Sequence, residues 1–521
     1  MQSPFSRTAF DLLREMAAHA ADHPAVIADG VTTSYGQLAH AASRVAGKLR
    51  AGGVRRGDRV GLLSNNRLEW LEVYFATAAL GAVLVPFSTW STAAELEFLL
   101  DDAQVGTVFA LSDYRGKDFA AEVEGLREAG KADSVRTVMR LDGPEYQAYR
   151  THAPLEELKP GEGPSAGDTL VMLYTSGSSS RPKCVPLQHF AAIENGFNIG
   201  ERMGVSADDR FLISIPLFWS YGAVNALIAA VSHGATLVLQ GQFEPGGALD
   251  LIEQHRCTVF YTLPAMTSGL LGHEAFSKAR TASLRTGVTI GAPQDVMSAA
   301  NDLGMTEICN IYGQTEGYGN CCVTHHHWPL ERRARCQGLP LPGVTIRIRD
   351  PETGQDCAPG EVGEIQLRGY LTPGYAGNSA FANAEAFTED GFFRSSDLGS
   401  LNEDGTLVYA GRISEMIKRS GINVSPAEVE EALQQAEGVS IAGVTGVDDA
   451  VKGEIIVAFV IPDPGHQPDP QALRQHCRGL LSSYKVPDRI FLKRELPLTP
   501  TGKLMRRELR AQATAEVTKE Q

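Results

Sequence analysis

The 521-residue chain has no stretch of 18 uninterrupted apolar residues, which argues against a membrane-spanning helix. Its first residues, Met1-Gln2-Ser3-Pro4-Phe5-Ser6-Arg7, lack a basic region followed by an apolar run and a small-residue cleavage site, so no secretory leader is expected. Cysteine is sparse. Eight residues without framework spacing read as free thiols of a cytoplasmic protein, not as a disulfide scaffold. Positive charge is also short, with 47 Lys and Arg against 62 Asp and Glu; the net charge of −15 argues against nucleic acid or an anionic membrane surface as partner. Internal repeats and low-complexity tracts are missing. What is present is a globular composition, 43% hydrophobic and 21% charged, at a length of roughly three to four domains of ~150 residues. Glycine exceeds the norm: 53 residues, about a tenth of the chain against a typical ~7%, imply tight turns and close backbone approach to ligands.

Residues 41–49 and 68–80 have helical spacing, whereas Arg59-Val60-Gly61-Leu62-Leu63 and Ala82-Val83-Leu84-Val85-Pro86 are short apolar runs. Similar runs at 169–174, 210–215, 235–239, 259–263 and 286–290 predict repeated strand–helix–strand units and parallel sheets. From Gly338 to Tyr409 shorter alternating strands, such as 344–348 and 364–367, predict an antiparallel barrel or small sheet. After Arg412, a helix at 427–433, strands at 441–444 and 455–461 and a basic segment at 484–510 predict a separate small domain. The expected fold class is α/β: a large N-terminal domain, residues 1–411, of mixed α/β subdomains plus a small barrel-like β part, then a small C-terminal α+β domain, residues 412–521.

The strongest chemical signal is Tyr174-Thr175-Ser176-Gly177-Ser178-Ser179-Ser180-Arg181-Pro182-Lys183, a hydroxyl-rich loop directly after an apolar strand. Its N–H groups and hydroxyls can wrap phosphate oxygens while Lys183 adds charge, although the Gly-Lys-Ser/Thr ending of a P-loop is absent. Asn310-Ile311-Tyr312-Gly313-Gln314-Thr315-Glu316 offers an aromatic face for a purine, an amide for its edge and a carboxylate for Mg²⁺. Asp397 after Ser396 could accept hydrogen bonds from two ribose hydroxyls. Singly, these have plainer readings: a Ser-rich surface loop, a core tyrosine, a turn aspartate. Together they describe a nucleotide site.

These segments, with Ser396-Asp397-Leu398-Gly399, Gly411-Arg412 and Pro500-Thr501-Gly502-Lys503, resemble the adenylate-forming superfamily of acyl-coenzyme A synthetases, peptide-synthetase adenylation domains and luciferases. The resemblance runs from Thr33-Ser34-Tyr35-Gly36-Gln37-Leu38, through Leu80-Gly81-Ala82-Val83, to Lys503-Leu504-Met505-Arg506-Arg507-Glu508-Leu509. It implies a two-step ligase using ATP, Mg²⁺ and coenzyme A: a carboxylate attacks the α-phosphate to give an acyl-adenylate and pyrophosphate, then a thiol displaces AMP. By that resemblance Lys503 bridges the carboxylate and the α-phosphate, Glu316 holds Mg²⁺, and Thr315 with Thr175, Ser176, Gly177, Ser178, Ser179 and Lys183 holds phosphates. Asp397 and Arg412 hold the ribose; Asn310, Tyr312, Gly313 and the Gly291-Ala292-Pro293 turn frame the adenine. The small domain is expected to be mobile, alternating between a pose with Lys503 in the site and one that opens a pantetheine tunnel beside Lys418 and Gly421. A homodimer is one state the resemblance admits.

Departures from the family pattern are informative. Ser180, Cys184 and Ser420 replace frequent glycines, and Ser414 stands at a hinge position that is often Asp or Lys. Trp219, in Pro216-Leu217-Phe218-Trp219-Ser220-Tyr221-Gly222, replaces a frequent His and contributes a large apolar wall without a titrating group. No counter-charge for an α-ammonium accompanies it, which disfavours an amino acid substrate. Trp219, Tyr221, Gly222, Tyr261, Met266, Tyr318 and Gly319 suit a medium-chain, alicyclic or aryl acid. Cys321-Cys322 with His325-His326-His327 does not have paired zinc-ligand spacing and reads better as a loop near the substrate region. Two rivals share the adenylate: a ligase charging a carrier protein, and a luciferase-like oxygenase. A non-ligating adenylate binder would have lost Lys503 or Glu316, and both are present.

Overall fold

The computed structural model describes residues 3–152, 163–175, 182–419, 422–449, 452–498 and 504–520. The chain divides into two compact units: Met1–Thr262, Met266–Thr345 and Leu367–Phe393 form the first, and Leu263–Ala265, Ile346–Gln366 and Arg394–Gln521 form the second.

The first unit holds two sheets. In the six-stranded sheet the order is Thr137–Arg140, Thr107–Ala110, Arg59–Leu63, Val83–Phe87, Thr169–Thr175, Lys183–Gln188. All neighbours are parallel except the last pair, an antiparallel hairpin whose connection carries the hydroxyl-rich loop. Every residue of Val83–Phe87 is buried, as expected of a central parallel strand covered on both faces. The helix Leu68–Leu80 is buried along almost its whole length and stops at Gly81, whose φ of 67° is the left-handed cap glycine adopts without a Cβ penalty. The early Ser34–Gln37 pair proves to be a capping box that starts the helix Tyr35–Ala51.

The nine-stranded sheet runs Leu339–Pro340, Cys322–Val323, Cys309–Tyr312, Thr286–Thr289, Val259–Tyr261, Arg210–Ile213, Thr236–Leu239, Pro24–Ala28, Val31–Ser34. From Cys309–Tyr312 to Pro24–Ala28 all neighbours are parallel, so the loops after these strands leave from one edge of the sheet. That edge is where an open parallel sheet binds ligands. The strands at 210–215, 259–263 and 286–290 end one or two residues earlier than their apolar runs, because the chain turns into site loops.

Thr345–Arg349, Gly363–Arg368, Phe393–Leu401 and Leu407–Arg412 make a four-stranded sheet in sequential order, the sheet form of the two expected for this stretch. Beyond it a long antiparallel hairpin, Val439–Asp449 with Gly453–Pro462, anchors a five-stranded sheet. Its alternation sorts side chains by face. Val444, Ile456 and Ala458 pack with Val429 and Leu433 of the helix Pro426–Gln434 and Leu473 of Pro470–Leu480. Val457 and Phe459 pack on the other face with Leu509, Ala513 and Val517 of the helix Arg506–Glu520. None of the eight cysteines is bridged, and among the described residues no helix is long and apolar enough to cross a membrane.

Candidate functional site

The loops at the carboxyl edge of the parallel strands carry most of the predicted acyl and adenine residues. After Arg210–Ile213 the chain passes Pro216 and Trp219 and enters a π-helix, Tyr221–Ala226, an irregularity that often marks functional sites. Its wider turn needs Gly222: a Cβ there would collide with the Pro216 carbonyl and stand 2.9 Å from Leu217 Cα. The Tyr221 hydroxyl donates to Val288 O at 3.0 Å, and its ring lies 5.1 Å from that of Tyr261. The Tyr261 hydroxyl is buried with no protein partner. Met266 is buried on the helix Pro264–Leu271. Asn225 Nδ2 donates to Asn195 Oδ1 at 2.8 Å and to Tyr318 O at 2.5 Å, which holds Tyr318 in a left-handed conformation with φ of 61°. The Tyr318 hydroxyl accepts from Gln188 N–H at 2.8 Å. At Gly319, φ is +91° and a Cβ would stand 2.5 Å from Asn225 Oδ1.

Trp219, expected from its motif, is joined by Trp90, which no motif marks. The Trp90 ring meets Phe218 edge-on at 5.3 Å and Trp219 at 5.4 Å and 72°; Phe218 and Trp219 meet at 6.0 Å. Three mutually perpendicular rings thus form an apolar corner. Its only sequence signal was a tryptophan in the polar loop that follows a buried strand.

Asn310 lies within the strand Cys309–Tyr312 and Tyr312 ends it, beside Thr286–Thr289, which leads into the Gly291-Ala292-Pro293 turn. That turn opens the helix Pro293–Asn301, where Asp295 accepts from Ala292 N–H at 2.8 Å. Burial pushes the Asp295 carboxyl up to about 6, against the pull of that hydrogen bond. Asn310 Nδ2 and Gln314 Nε2 are buried donors without protein partners. Buried amides seldom go unpaired, so these are donors available to a ligand's ring or phosphate acceptors. Gly313 passes so close to the Gly319 carbonyl that a side chain would not fit.

Thr315 and Glu316 occupy one 3₁₀ turn, Thr315–Gly317, with Thr315 Oγ1 3.3 Å from Ser220 Oγ. Glu316 is buried, and its Oε1 accepts from the hydroxyl of Tyr375 at 2.8 Å. Burial and the neighbouring carboxylate push the Tyr375 phenol far above its ordinary range, so it stays a donor. Lys183 Nζ lies 4.7 Å from the centroid of the same ring. Thr175 ends the strand before the hydroxyl-rich loop; Ser176, Gly177, Ser178, Ser179 and Ser180 lie outside the described residues. Among the described residues no cluster of three His, Cys, Asp or Glu could hold a metal alone. A divalent cation at Glu316 would therefore share its coordination with phosphates, the usual arrangement for Mg²⁺.

In the second unit Asp397 and Arg412 are register partners on adjacent strands. Arg412 Nε donates to Asp397 Oδ1 at 3.1 Å. Ser414 is exposed in the short turn Ile413–Glu415, and Lys418 is exposed on Ile417–Arg419. Gly421 and Lys503 lie outside the described residues, and so does Ser420.

Cys321 and Cys322 are buried, and the histidines go elsewhere: His325 pairs with Arg202, and His326 Nδ1 lies 3.1 Å from Glu307 Oε2. Burial and the Arg202 charge pull His325 down to about 4.

Residues 13–376 match the family model for the AMP-binding enzyme, and residues 428–503 match that for the AMP-binding enzyme C-terminal domain. The indoleacetate–CoA ligase of Aromatoleum aromaticum is 33% identical, with 92% of each chain aligned. A crystal structure of the anthranilate CoA ligase AuaEII in complex with anthranoyl-AMP superposes with a TM-score of 0.88 at 26% identity, covering 99% of both chains. ATP-bound MatB from Rhodopseudomonas palustris gives 0.86 at 26% identity, covering 97% of this chain and 99% of that one. The chain therefore belongs to the AMP-binding enzymes of the adenylate-forming superfamily, as an AMP-forming acid–CoA ligase that takes ATP and coenzyme A as substrates.

Proposed function

We propose that the acid is hydrophobic, with an aryl acid the best fit. The observation that carries this is the corner of Trp90, Phe218 and Trp219, with Tyr221 after the strand Arg210–Ile213 and Tyr261 and Met266 at and after the end of its neighbour Val259–Tyr261, every one uncharged. Offset and edge-to-face ring contacts reward a flat aromatic substrate, and nothing in that wall compensates an ammonium group. The unpartnered Tyr261 hydroxyl is one polar point that could orient a ring substituent. The names of the indoleacetate and anthranilate ligases support the same class.

In the first half-reaction a carboxylate oxygen attacks the α-phosphorus and the bond to the bridging oxygen breaks, releasing pyrophosphate. Two anions must meet, so the residues have to offset charge. Lys503 bridges carboxylate and α-phosphate, while Lys183, Thr315 and the 175–179 loop hold the phosphates. Glu316 would hold Mg²⁺, whose contribution when bound is charge neutralisation on the phosphates. Asn310, Tyr312, Gly313 and the 291–293 turn receive the adenine, and Asp397 with Arg412 the ribose. In the second half-reaction the thiol sulfur attacks the acyl carbonyl, its proton leaves to solvent and AMP departs. We place the boundary of the mobile part at Arg412, with Ser414 at the hinge and Lys418 and Gly421 along the thiol path. Residues 485–510 carry eight Lys and Arg against three Asp and Glu, a local reversal of the acidic total that suits a partner such as coenzyme A. A carrier-protein thiol is the alternative acceptor.

The experiment is a pyrophosphate-release screen over carboxylic acids with coenzyme A present and absent. Acid-specific release with aryl acids fastest, followed by thioester formation with free coenzyme A, is expected. Release confined to small polar or amino acids overturns the substrate class, and adenylation without transfer to free coenzyme A moves the acceptor to a carrier protein.

A further inference from the structure

We infer that Tyr375 is a positioning residue for Glu316, fixing the carboxylate that would hold Mg²⁺ in the ligase reading above, on which this inference rests. One stretch, residues 372–379, grips both halves of the phosphate site. Thr372 N–H donates to Glu316 O at 2.7 Å, and Tyr375 O–H donates to Glu316 Oε1 at 2.8 Å, so the backbone and the side chain of Glu316 are held from the same segment. That segment is also stitched to the strand that begins with Lys183. Ala376 N–H donates to Cys184 O at 3.0 Å, Cys184 N–H to Ser379 Oγ at 3.1 Å, and Thr372 Oγ1 to Pro186 O at 2.7 Å.

Tyr375 is itself pegged. Its N–H donates to Asn383 Oδ1 at 2.7 Å, and Asn383 Nδ2 donates back to Tyr375 O at 3.0 Å. A glutamate on a three-residue turn would otherwise sample several rotamers, and holding one of them costs side-chain entropy each time a ligand binds. A hydroxyl bond to Oε1 sets the rotamer in advance and leaves Oε2 for a cation. Partners of this kind are typically worth about 10–100-fold in metal affinity. The same ring under Lys183 ties the metal carboxylate and the phosphate-binding cation to one side chain.

The test is calorimetric titration of ATP into the full chain, with Mg²⁺ or with EDTA, and needs no acid substrate. For Tyr375→Phe we expect Mg²⁺-free ATP affinity within about twofold of wild type, while the tightening produced by Mg²⁺ falls roughly tenfold. Glu316→Gln should remove the same tightening, and the double variant should be no worse than Glu316→Gln alone. Undiminished tightening in Tyr375→Phe, or additive losses in the double variant, overturns the inference. Should Tyr375→Phe melt below the assay temperature, Asn383→Ala loosens the peg without touching the hydroxyl; a selective loss of Mg²⁺ tightening supports the role, and unchanged tightening overturns it. A wild type that binds ATP without any Mg²⁺ effect overturns the role of Glu316, whereas one that binds no ATP overturns the ligase reading itself.

Discussion

Arg412 donates to Asp397 from the neighbouring strand, Nε to Oδ1 at 3.1 Å, with the two residues in direct register. The aspartate side chain is 5% exposed and the arginine 54%, so the carboxylate is set into the sheet and its guanidinium partner reaches outward. If Asp397 takes the ribose as proposed, Asp397→Asn keeps shape but weakens charge-assisted bonds to the ribose hydroxyls, and a loss of about 2 kcal/mol, roughly thirtyfold in ATP affinity, is expected. Arg412→Ala should weaken ATP less, and the double variant should fall short of the sum because the two groups share one contact. Equilibrium titration with ATP checks this; full additivity would separate their roles.

Trp219→Ala should lower kcat/KM for aryl acids at least tenfold while leaving ATP affinity near wild type, because the proposed role of the indole is as a wall for the acid and not for the nucleotide. Trp90→Ala should act in the same direction with a smaller effect, since its ring is 37% exposed. Competition among acids of increasing chain length reads the change. An unaltered acid profile in both variants would remove the aromatic corner from the substrate path.

Stability should fall on acidification through His189. Its Nδ1 accepts from Ala9 N–H, the first residue of the helix Ala9–His19, at 3.2 Å, and burial lowers its pKa from 6.5 to about 4. A lowered folded-state pKa means the unfolded chain binds the proton more tightly, so the contribution is complete above pH 6.5 and lost between there and pH 4. The loss is on the order of 3 kcal/mol. His189→Asn, which keeps an amide acceptor without the titration, should show a flatter stability profile across that window by chemical denaturation. Parallel profiles for the two proteins would contradict the assignment.

The parallel strands were legible because their apolar runs end at Gly, Pro or polar residues, and the six positions from Val83 to Phe87 and Gly81 announce both strand and helix cap. The hairpin Val439–Asp449 with Gly453–Pro462 is longer than its apolar core suggested, since Thr445, Asp448 and Glu454 belong to the ladder while looking like loop residues. The π-helix at Tyr221 left no periodic trace, because its cause is the fit of Gly222 against the Pro216 carbonyl. Motif residues such as Thr315, Glu316 and Asp397 could be named from their neighbours in sequence. Tyr375 could not: it reaches Glu316 across 59 residues, and only the folded path of 372–379 brings them together.

Separating the two half-reactions in Lys503→Ala tests the two-step account most directly. Acyl-adenylate formation, followed by pyrophosphate exchange with the acid found in the screen, should become undetectable. Thioester formation from a supplied acyl-adenylate and coenzyme A should stay within a few-fold of wild type, because the bridging charge is needed only while the carboxylate meets the α-phosphate. Equal loss of both steps, or retained adenylation, would contradict the account.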